Sequence, residues 1–132
     1  MDKPKILIVD DDPDLQWALK TRLRANYYDT VQASDGYSAI AVAQKERPGL
    51  IILDLGLPAG DGFVVLERLQ ESDTLSNIPV IVLTARDAQL NKQKALLAGA
   101  TAHFQKPADN AELLAAIRAT LPNTWPGTAS PS

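Results

Sequence analysis

The chain has 132 residues, a net charge of -3 and no cysteine, which suits one domain with its own core and excludes disulfide bridges and thiolate metal sites. The slightly acidic balance gives no electrostatic footprint for nucleic acid or for an anionic membrane surface. Because no apolar run could span a bilayer and the N-terminus lacks the apolar region of a signal peptide, we expect a soluble, cytoplasmic protein.

Short apolar segments alternate with helical patterns five times along the chain. The predicted strands are Lys5–Val9, Tyr27–Ala33, Leu50–Asp54, Val80–Leu83 and Ala102–Gln105. The predicted helices 1, 2 and 4 run from Pro13 to about Ala25, from Tyr37 to Glu46 and from about Ala88 to Ala98. Helix 3 begins near Asp61 and carries Phe63, Leu66 and Leu69 on one face, and helix 5 begins near Asp109 and carries Leu113, Leu114, Ile117 and Leu121 on its inner side. Asp12 before Pro13 is typical of a helix N-cap, and Gly99 is typical of a C-cap. The second strand is the less apolar one, which favours a sheet edge.

This alternation predicts an α/β fold: a five-stranded parallel sheet with helices on both faces and right-handed crossovers. In the flavodoxin-like strand order 2-1-3-4-5, strands 1 and 3 lie side by side. Asp10 and Asp11 would then lie next to Asp54, and Thr84 and Lys106 would complete the same rim. We assign residues 1–121 to this domain and residues 122–132, rich in Pro, Thr and Ser, to a disordered tail or the start of a linker.

Three carboxylates in one crevice repel each other, and a divalent cation would relieve that repulsion. A ligand set of oxygens alone favours Mg²⁺, which in proteins usually also binds water and phosphate oxygens. Lys106 and Thr84 would add a cation and a hydroxyl suited to a phosphoryl group. The chain has neither a Walker loop nor a GxGxxG sequence, so nucleotide binding is not supported. The remaining chemistry is an attack of the Asp54 carboxylate on phosphorus, which forms an acyl phosphate.

These strand-end positions resemble the response-regulator receiver domain, the CheY-like family, over about residues 4–121. The matching motifs are the acidic pair after strand 1, the D-L-x-L-P-x-x-D-G run from Asp54 to Gly62, Thr84-Ala85 and Lys106-Pro107. Each motif is weak alone, but their order and their placement at strand ends make the resemblance specific.

The resemblance implies a role for each position. Asp54 would be the phosphoacceptor, and Lys106 would contact the phosphate next to a bond to Pro107 that is often cis in the family. Thr84 and His103 would be the switch residues. The magnesium ligands would be Asp11 directly, Asp10 largely through water, Asp54, and the backbone carbonyl of Gly56.

Three positions depart from the family pattern. His103 stands where Tyr or Phe is usual, so we hypothesise that switching depends on pH. Gly56 and Arg86 flank the path of hydrolytic water in the family, and we expect them to set the lifetime of the phosphorylated state.

Trp17 lies outside the predicted inward stripe of helix 1. That stripe comprises Leu15, Ala18, Leu19, Arg22 and Leu23. The Trp17 ring either covers neighbouring aliphatic stems or contacts a phosphodonor protein, since exposed tryptophan is enriched at interfaces.

The predicted function is that of a receiver domain in a two-component system. A sensor histidine kinase or histidine phosphotransfer protein would phosphorylate Asp54, and the surface of helix 4, strand 5 and helix 5 would then change its partner. The domain would catalyse only its own phosphorylation and dephosphorylation.

Two alternatives remain: a pseudo-receiver that acts without phosphorylation, and a small-molecule phosphohydrolase. The output partner and a phosphorylation-dependent homodimer stay open, and we expect either a stand-alone receiver or a piece of a longer protein.

Overall fold

The structure, a computed structural model, describes residues 3–57, 61–85 and 88–122. Strands and helices alternate through these residues as the sequence predicts. The strands are β1 (Lys5–Val9), β2 (Asp29–Ala33), β3 (Leu50–Asp54), β4 (Val80–Thr84) and β5 (Ala102–Gln105). The helices are α1 (Pro13–Ala25), α2 (Gly36–Glu46), α3 (Asp61–Glu71), α4 (Ala88–Leu97) and α5 (Asn110–Thr120).

The five strands form one parallel sheet in the order β2-β1-β3-β4-β5, which confirms the predicted topology. Val9 at the end of β1 pairs in register with Leu53, and Asp54 at the end of β3 pairs with Leu83. The carboxyl ends of the central strands therefore meet at one edge of the sheet. β2 is an edge strand, as its lower apolar content suggests.

A hydrophobic cluster covers each face of the sheet. Side chains of a strand alternate between faces, so Leu7 and Val9 of β1 enter one cluster and Ile6 and Ile8 enter the other. Helices α2, α3 and α4 cover the first face, and α1 and α5 cover the second. Every residue of β3 and β4 is buried. Burial on both faces is why these strands read as continuous apolar runs.

Three local predictions need adjustment. β2 begins at Asp29 rather than Tyr27, because Tyr27 has a φ of 69° and its N–H donates to Arg24 at the end of α1. α4 ends one residue early, at Leu97, and Gly99 follows with a φ of 107°, as a C-terminal glycine does. The predicted inward stripe of α1 is wrong at Ala18 and Arg22, which are exposed.

Several predicted features lie outside the described residues. These are the turn at Pro58–Gly60, Arg86, and the tail beyond residue 122. The proposed domain boundary at residue 121 stays a prediction, although α5 ends at Thr120 and the backbone oxygen of Leu121 accepts a hydrogen bond of 2.8 Å from the Tyr28 hydroxyl.

Among the described helices, none combines the length and the apolar character needed to cross a membrane.

Candidate functional site

The ends of β1 and β3 bring three carboxylates together. Asp10 and Asp54 are buried, with 2% and 5% of their surfaces exposed, whereas Asp11 is exposed. One carboxylate oxygen from each of the three lies within 4.8 Å of the others. The cluster follows from the parallel register, because Val9 pairs with Leu53, so that Asp10 comes next to Asp54 one residue further along both strands. The predicted meeting of Asp10 and Asp11 with Asp54 is therefore confirmed.

The Asp10 carboxylate is held at both oxygens. Oδ1 accepts the backbone N–H of Asp12 at 2.8 Å, and Oδ2 lies 2.9 Å from Nζ of Lys106. Asp12 itself turns away and caps α1, because its side chain accepts the N–H groups of Asp14 and Leu15. The prediction that Asp12 caps α1 is therefore confirmed.

Asp54 is also fixed on both sides. Its Oδ1 accepts the N–H of Gly56 at 2.8 Å, and its Oδ2 lies 3.4 Å from Nζ of Lys106. A Cβ atom at position 56 would lie 3.2 Å from Oδ1 of Asp54, so glycine leaves this oxygen uncrowded. The predicted role of the Gly56 carbonyl as a metal ligand stays a prediction.

Charge in the site is unbalanced, because three carboxylates cluster there and one lysine pairs with two of them, Asp10 and Asp54. Burial raises the pKa of Asp10, the hydrogen bonds from Lys106 and Asp12 oppose that rise, and the Asp54 charge adds to it. Burial by itself would lower the pKa of Lys106, but Asp10 and Asp54 outweigh it and the pKa is raised, so the lysine stays charged. The excess negative charge and the all-oxygen donor set fit a hard divalent cation such as Mg²⁺.

The ends of β4 and β5 complete the rim. Thr84 is fully buried and follows Leu83, the register partner of Asp54. The Thr84 carbonyl accepts the Lys106 N–H at 2.8 Å, which anchors the lysine backbone beside the acidic cluster. The peptide bond from Lys106 to Pro107 is cis, as expected from the resemblance.

His103 is partly buried on β5, level with Val82 of β4. Its Nε2 atom is buried without a hydrogen-bond partner among the residues that the structure describes. Burial and the positive charge of Lys92 lower the pKa of His103 below its ordinary value. The ring is therefore neutral at neutral pH and gains charge only on acidification. If switching depends on pH, the change would therefore come on acidification; that switching depends on pH at all stays a prediction.

Two adjacent residues of α1 differ sharply in exposure. Trp17 is 67% exposed, which agrees with its predicted position outside the inward stripe. Gln16, which the sequence interpretation passed over, is buried with 7% exposure, and its Nε2 donates to the backbone oxygens of Asp10 and Ala33. The available signal was its spacing of three and seven residues from the buried Leu19 and Leu23.

Comparison with known proteins gives one consistent result. The family model described as "Response regulator receiver domain" matches residues 6–118. The DNA-binding dual master transcriptional regulator RpaA of Synechocystis sp. is 41% identical over 121 residues, which are 92% of this chain. The chain spans 50% of RpaA, and thus about half the length of that relative.

Solved structures share the same fold over nearly the whole chain. A putative response regulator from Chloroflexus aurantiacus has a TM-score of 0.85 and 28% identity, covering 90% of this chain and 98% of its own. The receiver domain of the sensor histidine kinase PA1611 from Pseudomonas aeruginosa, with a magnesium ion in its active-site cleft, has a TM-score of 0.81 and 28% identity, covering 91% and 98%. With its strand order, its acidic cluster and the match over residues 6–118, this chain belongs to the response regulator receiver domain family.

Proposed function

We propose that Asp54 is the phosphoacceptor of a two-component signalling system, and that its donor is a sensor histidine kinase or a histidine phosphotransfer protein. The observation that supports this most is the cluster of Asp10, Asp11 and Asp54 with Lys106 at the carboxyl edge of the sheet. The Asp54 carboxylate would act as the nucleophile, the three clustered carboxylates would hold a cation, and Lys106 contacts two of them, at 2.9 Å from Asp10 and 3.4 Å from Asp54.

Mg²⁺ would be held by Asp10, Asp11, Asp54 and the carbonyl of Gly56, and when bound it would neutralise carboxylate and phosphoryl charge. One oxygen of Asp54 would form the new bond to phosphorus while the phosphorus–nitrogen bond of the phosphohistidine breaks, and the imidazole would leave as a neutral ring after taking a proton. Gly56 would stabilise the acceptor through its N–H, which already contacts Oδ1.

Lys106 would stabilise the transferred group. Its Nζ atom lies 3.4 Å from Oδ2 of Asp54, so a small torsional change would bring it to a phosphoryl oxygen. Its present contact with Asp10, at 2.9 Å, keeps the ammonium inside the site before transfer. The Lys106 charge is thus positioned in advance of the reaction.

Signal output would pass through Thr84 and His103 to the surface formed by α4, β5 and α5. Two features support this route: Thr84 is buried at the rim, and His103 lies beside Lys92 of α4 with a buried, unpaired Nε2 among the described residues. Leu96 and Leu97 of α4 are 43% and 90% exposed, which suits a partner or a second copy that binds after phosphorylation. The cytoplasmic location remains part of this proposal.

The test is an intact-mass measurement after treatment with a small phosphoramidate. We expect the wild-type protein to gain one phosphoryl group when Mg²⁺ is present and none in EDTA. Asp54→Asn should gain nothing, whereas the control Asp73→Asn, at an exposed aspartate after α3, should react like the wild type.

The alternatives give different results in the same experiment. A wild-type protein that never gains mass would favour the pseudo-receiver. Multiple turnovers on a generic phosphate ester would favour the phosphohydrolase.

Phosphate lifetime provides a finer test. We expect Gly56→Asn, which crowds Oδ1 of Asp54, and Arg86→Ala to change the rate of autodephosphorylation. Unchanged rates in both variants would refute a role for these positions in setting the lifetime.

Trp17 can be tested through its proposed contact with the donor. Because Trp17 is exposed, Trp17→Ala should change stability by no more than about 0.5 kcal/mol. Transfer from a phosphotransfer protein should slow, whereas transfer from the small phosphoramidate should not. If Trp17→Ala accepts phosphate from the phosphotransfer protein as fast as the wild type does, the ring serves local packing only.

A further inference from the structure

Gln16 joins two strand ends to the first turn of α1. Its backbone N–H donates to the Asp12 oxygen at 3.0 Å, and its Nε2 donates to the oxygens of Asp10 at 2.5 Å and Ala33 at 2.8 Å. Both partners of the side chain are carbonyl oxygens, which require a donor, so the amide nitrogen must face them. The side chain is buried and uses both of its N–H groups.

These contacts fix the main chain of Asp10 at both ends. The Asp10 N–H donates to the Ala33 oxygen at 3.1 Å, and the Asp10 oxygen accepts from Gln16. β1 ends at Val9 and β2 ends at Ala33, so the Gln16 amide ties the residue after β1 to the last residue of β2. No described strand residue performs this task.

The peptide unit between Asp10 and Asp11 is the part that this contact orients. A peptide unit is planar, so holding the Asp10 carbonyl also sets the direction of the Asp11 N–H and the path of the chain into Asp11. Asp10 and Asp11 are the two neighbouring carboxylates of the acidic cluster. Gln16 touches neither carboxylate, but it holds the peptide unit that links the two residues.

We propose that Gln16 is a positioning residue of the divalent-cation site, which it pre-organises by locking the Asp10–Asp11 peptide unit. The inference rests on the proposed function, because it needs a cation at the acidic cluster. Residues that orient metal ligands from behind commonly change metal affinity by 10–100-fold when they are replaced.

The test is equilibrium binding of Mg²⁺, measured by calorimetry well below the unfolding temperature. Gln16→Met keeps the length and the unbranched shape of the side chain but removes both donors. We expect its dissociation constant for Mg²⁺ to rise by about tenfold. The control Gln44→Met, at an exposed glutamine of α2, should bind as tightly as the wild type.

The outcomes separate the two proposals. If the wild type binds Mg²⁺ and Gln16→Met binds it equally well, the positioning role is wrong and the proposed function stands. If the wild type itself binds no Mg²⁺, both fail.

A second measurement needs no variant and so does not depend on folding of the mutant. In the wild-type protein, the side-chain amide protons of Gln16 should exchange with solvent much more slowly than those of Gln44. Mg²⁺ should shift the backbone resonances of Asp10, Asp11 and Gln16 together. Fast exchange of the Gln16 amide would overturn the inference.

Discussion

The carboxyl ends of β1 and β3 and the side formed by β5 and α4 differ in how tightly they are packed. β3 is buried at every position, and each oxygen of Asp10 and Asp54 has a defined partner. β5 has no buried residue, and Nε2 of His103 has no partner among the described atoms. In the described part of α4, Ala95 is the buried side chain and Leu97 is exposed.

The difference separates a region suited to chemistry from one suited to response. A site that holds its charged groups before the reaction needs rigid surroundings, which continuous burial provides. Elements with few buried apolar contacts open and shift at lower free-energy cost. We therefore expect the acidic edge to stay fixed on phosphorylation and the side with α4 and β5 to move.

The largest expected contrast is in stability. Leu53→Ala removes a fully buried side chain next to Asp54 and should lower the free energy of unfolding by about 2–5 kcal/mol. Leu97→Ala, at a leucine that is 90% exposed, should change it by no more than about 0.5 kcal/mol. Urea unfolding monitored by circular dichroism measures both. Similar losses in the two variants would remove the contrast.

A smaller effect is expected from charge in the acidic edge. Asp54→Asn removes one of three clustered carboxylates, and since the Asp54 charge raises the pKa of Asp10, its removal relieves repulsion. In EDTA the variant should be more stable than the wild type by about 1 kcal/mol. Mg²⁺ should stabilise the wild type and have little effect on the variant.

The control for this charge effect is Asp73→Asn, whose exposed carboxylate lies outside the cluster. It should leave both the stability in EDTA and the response to Mg²⁺ unchanged. A gain of the same size in Asp73→Asn would point to net charge rather than to the cluster.

The smallest effect concerns His103 and acid. Its pKa in the fold is below the ordinary 6.5, so on acidification the unfolded chain binds a proton before the native protein does. The stabilisation that comes from a neutral His103 is therefore fully present above pH 6.5. It is lost as the pH falls from 6.5 through the lower pKa of the native protein. His103→Phe should abolish this loss, which appears as a pH-dependent difference between the two unfolding free energies from about pH 8 to about pH 5. A constant difference would contradict it.

The strand and helix alternation was predictable because apolar periodicity and capping are local. Three consecutive aspartates after an apolar run indicated both the acidic pair and the Asp12 cap, and the structure has both. The approach of Asp54 to Asp10 was predictable only after a strand order had been chosen. That choice was supported by the residues at four of the strand ends together rather than by any single one.

Other features depend on contacts between distant segments. The inward face of α1 was misjudged at Ala18 and Arg22, which are exposed, because the predicted stripe left out the polar Gln16. Helical spacing places Gln16 on the face of Leu19 and Leu23, but its partners, the carbonyls of Asp10 and Ala33, lie outside the helix and are brought to it only by the fold. The pairing of Lys106 with Asp10 joins residues 96 positions apart. The order of the elements and the side chains at the strand ends could be read from the amino-acid sequence, because both follow from neighbouring residues. The folded packing was needed to show that Asp10 and Asp54 share the Lys106 ammonium, since that depends on how β1, β3 and the chain after β5 lie beside one another.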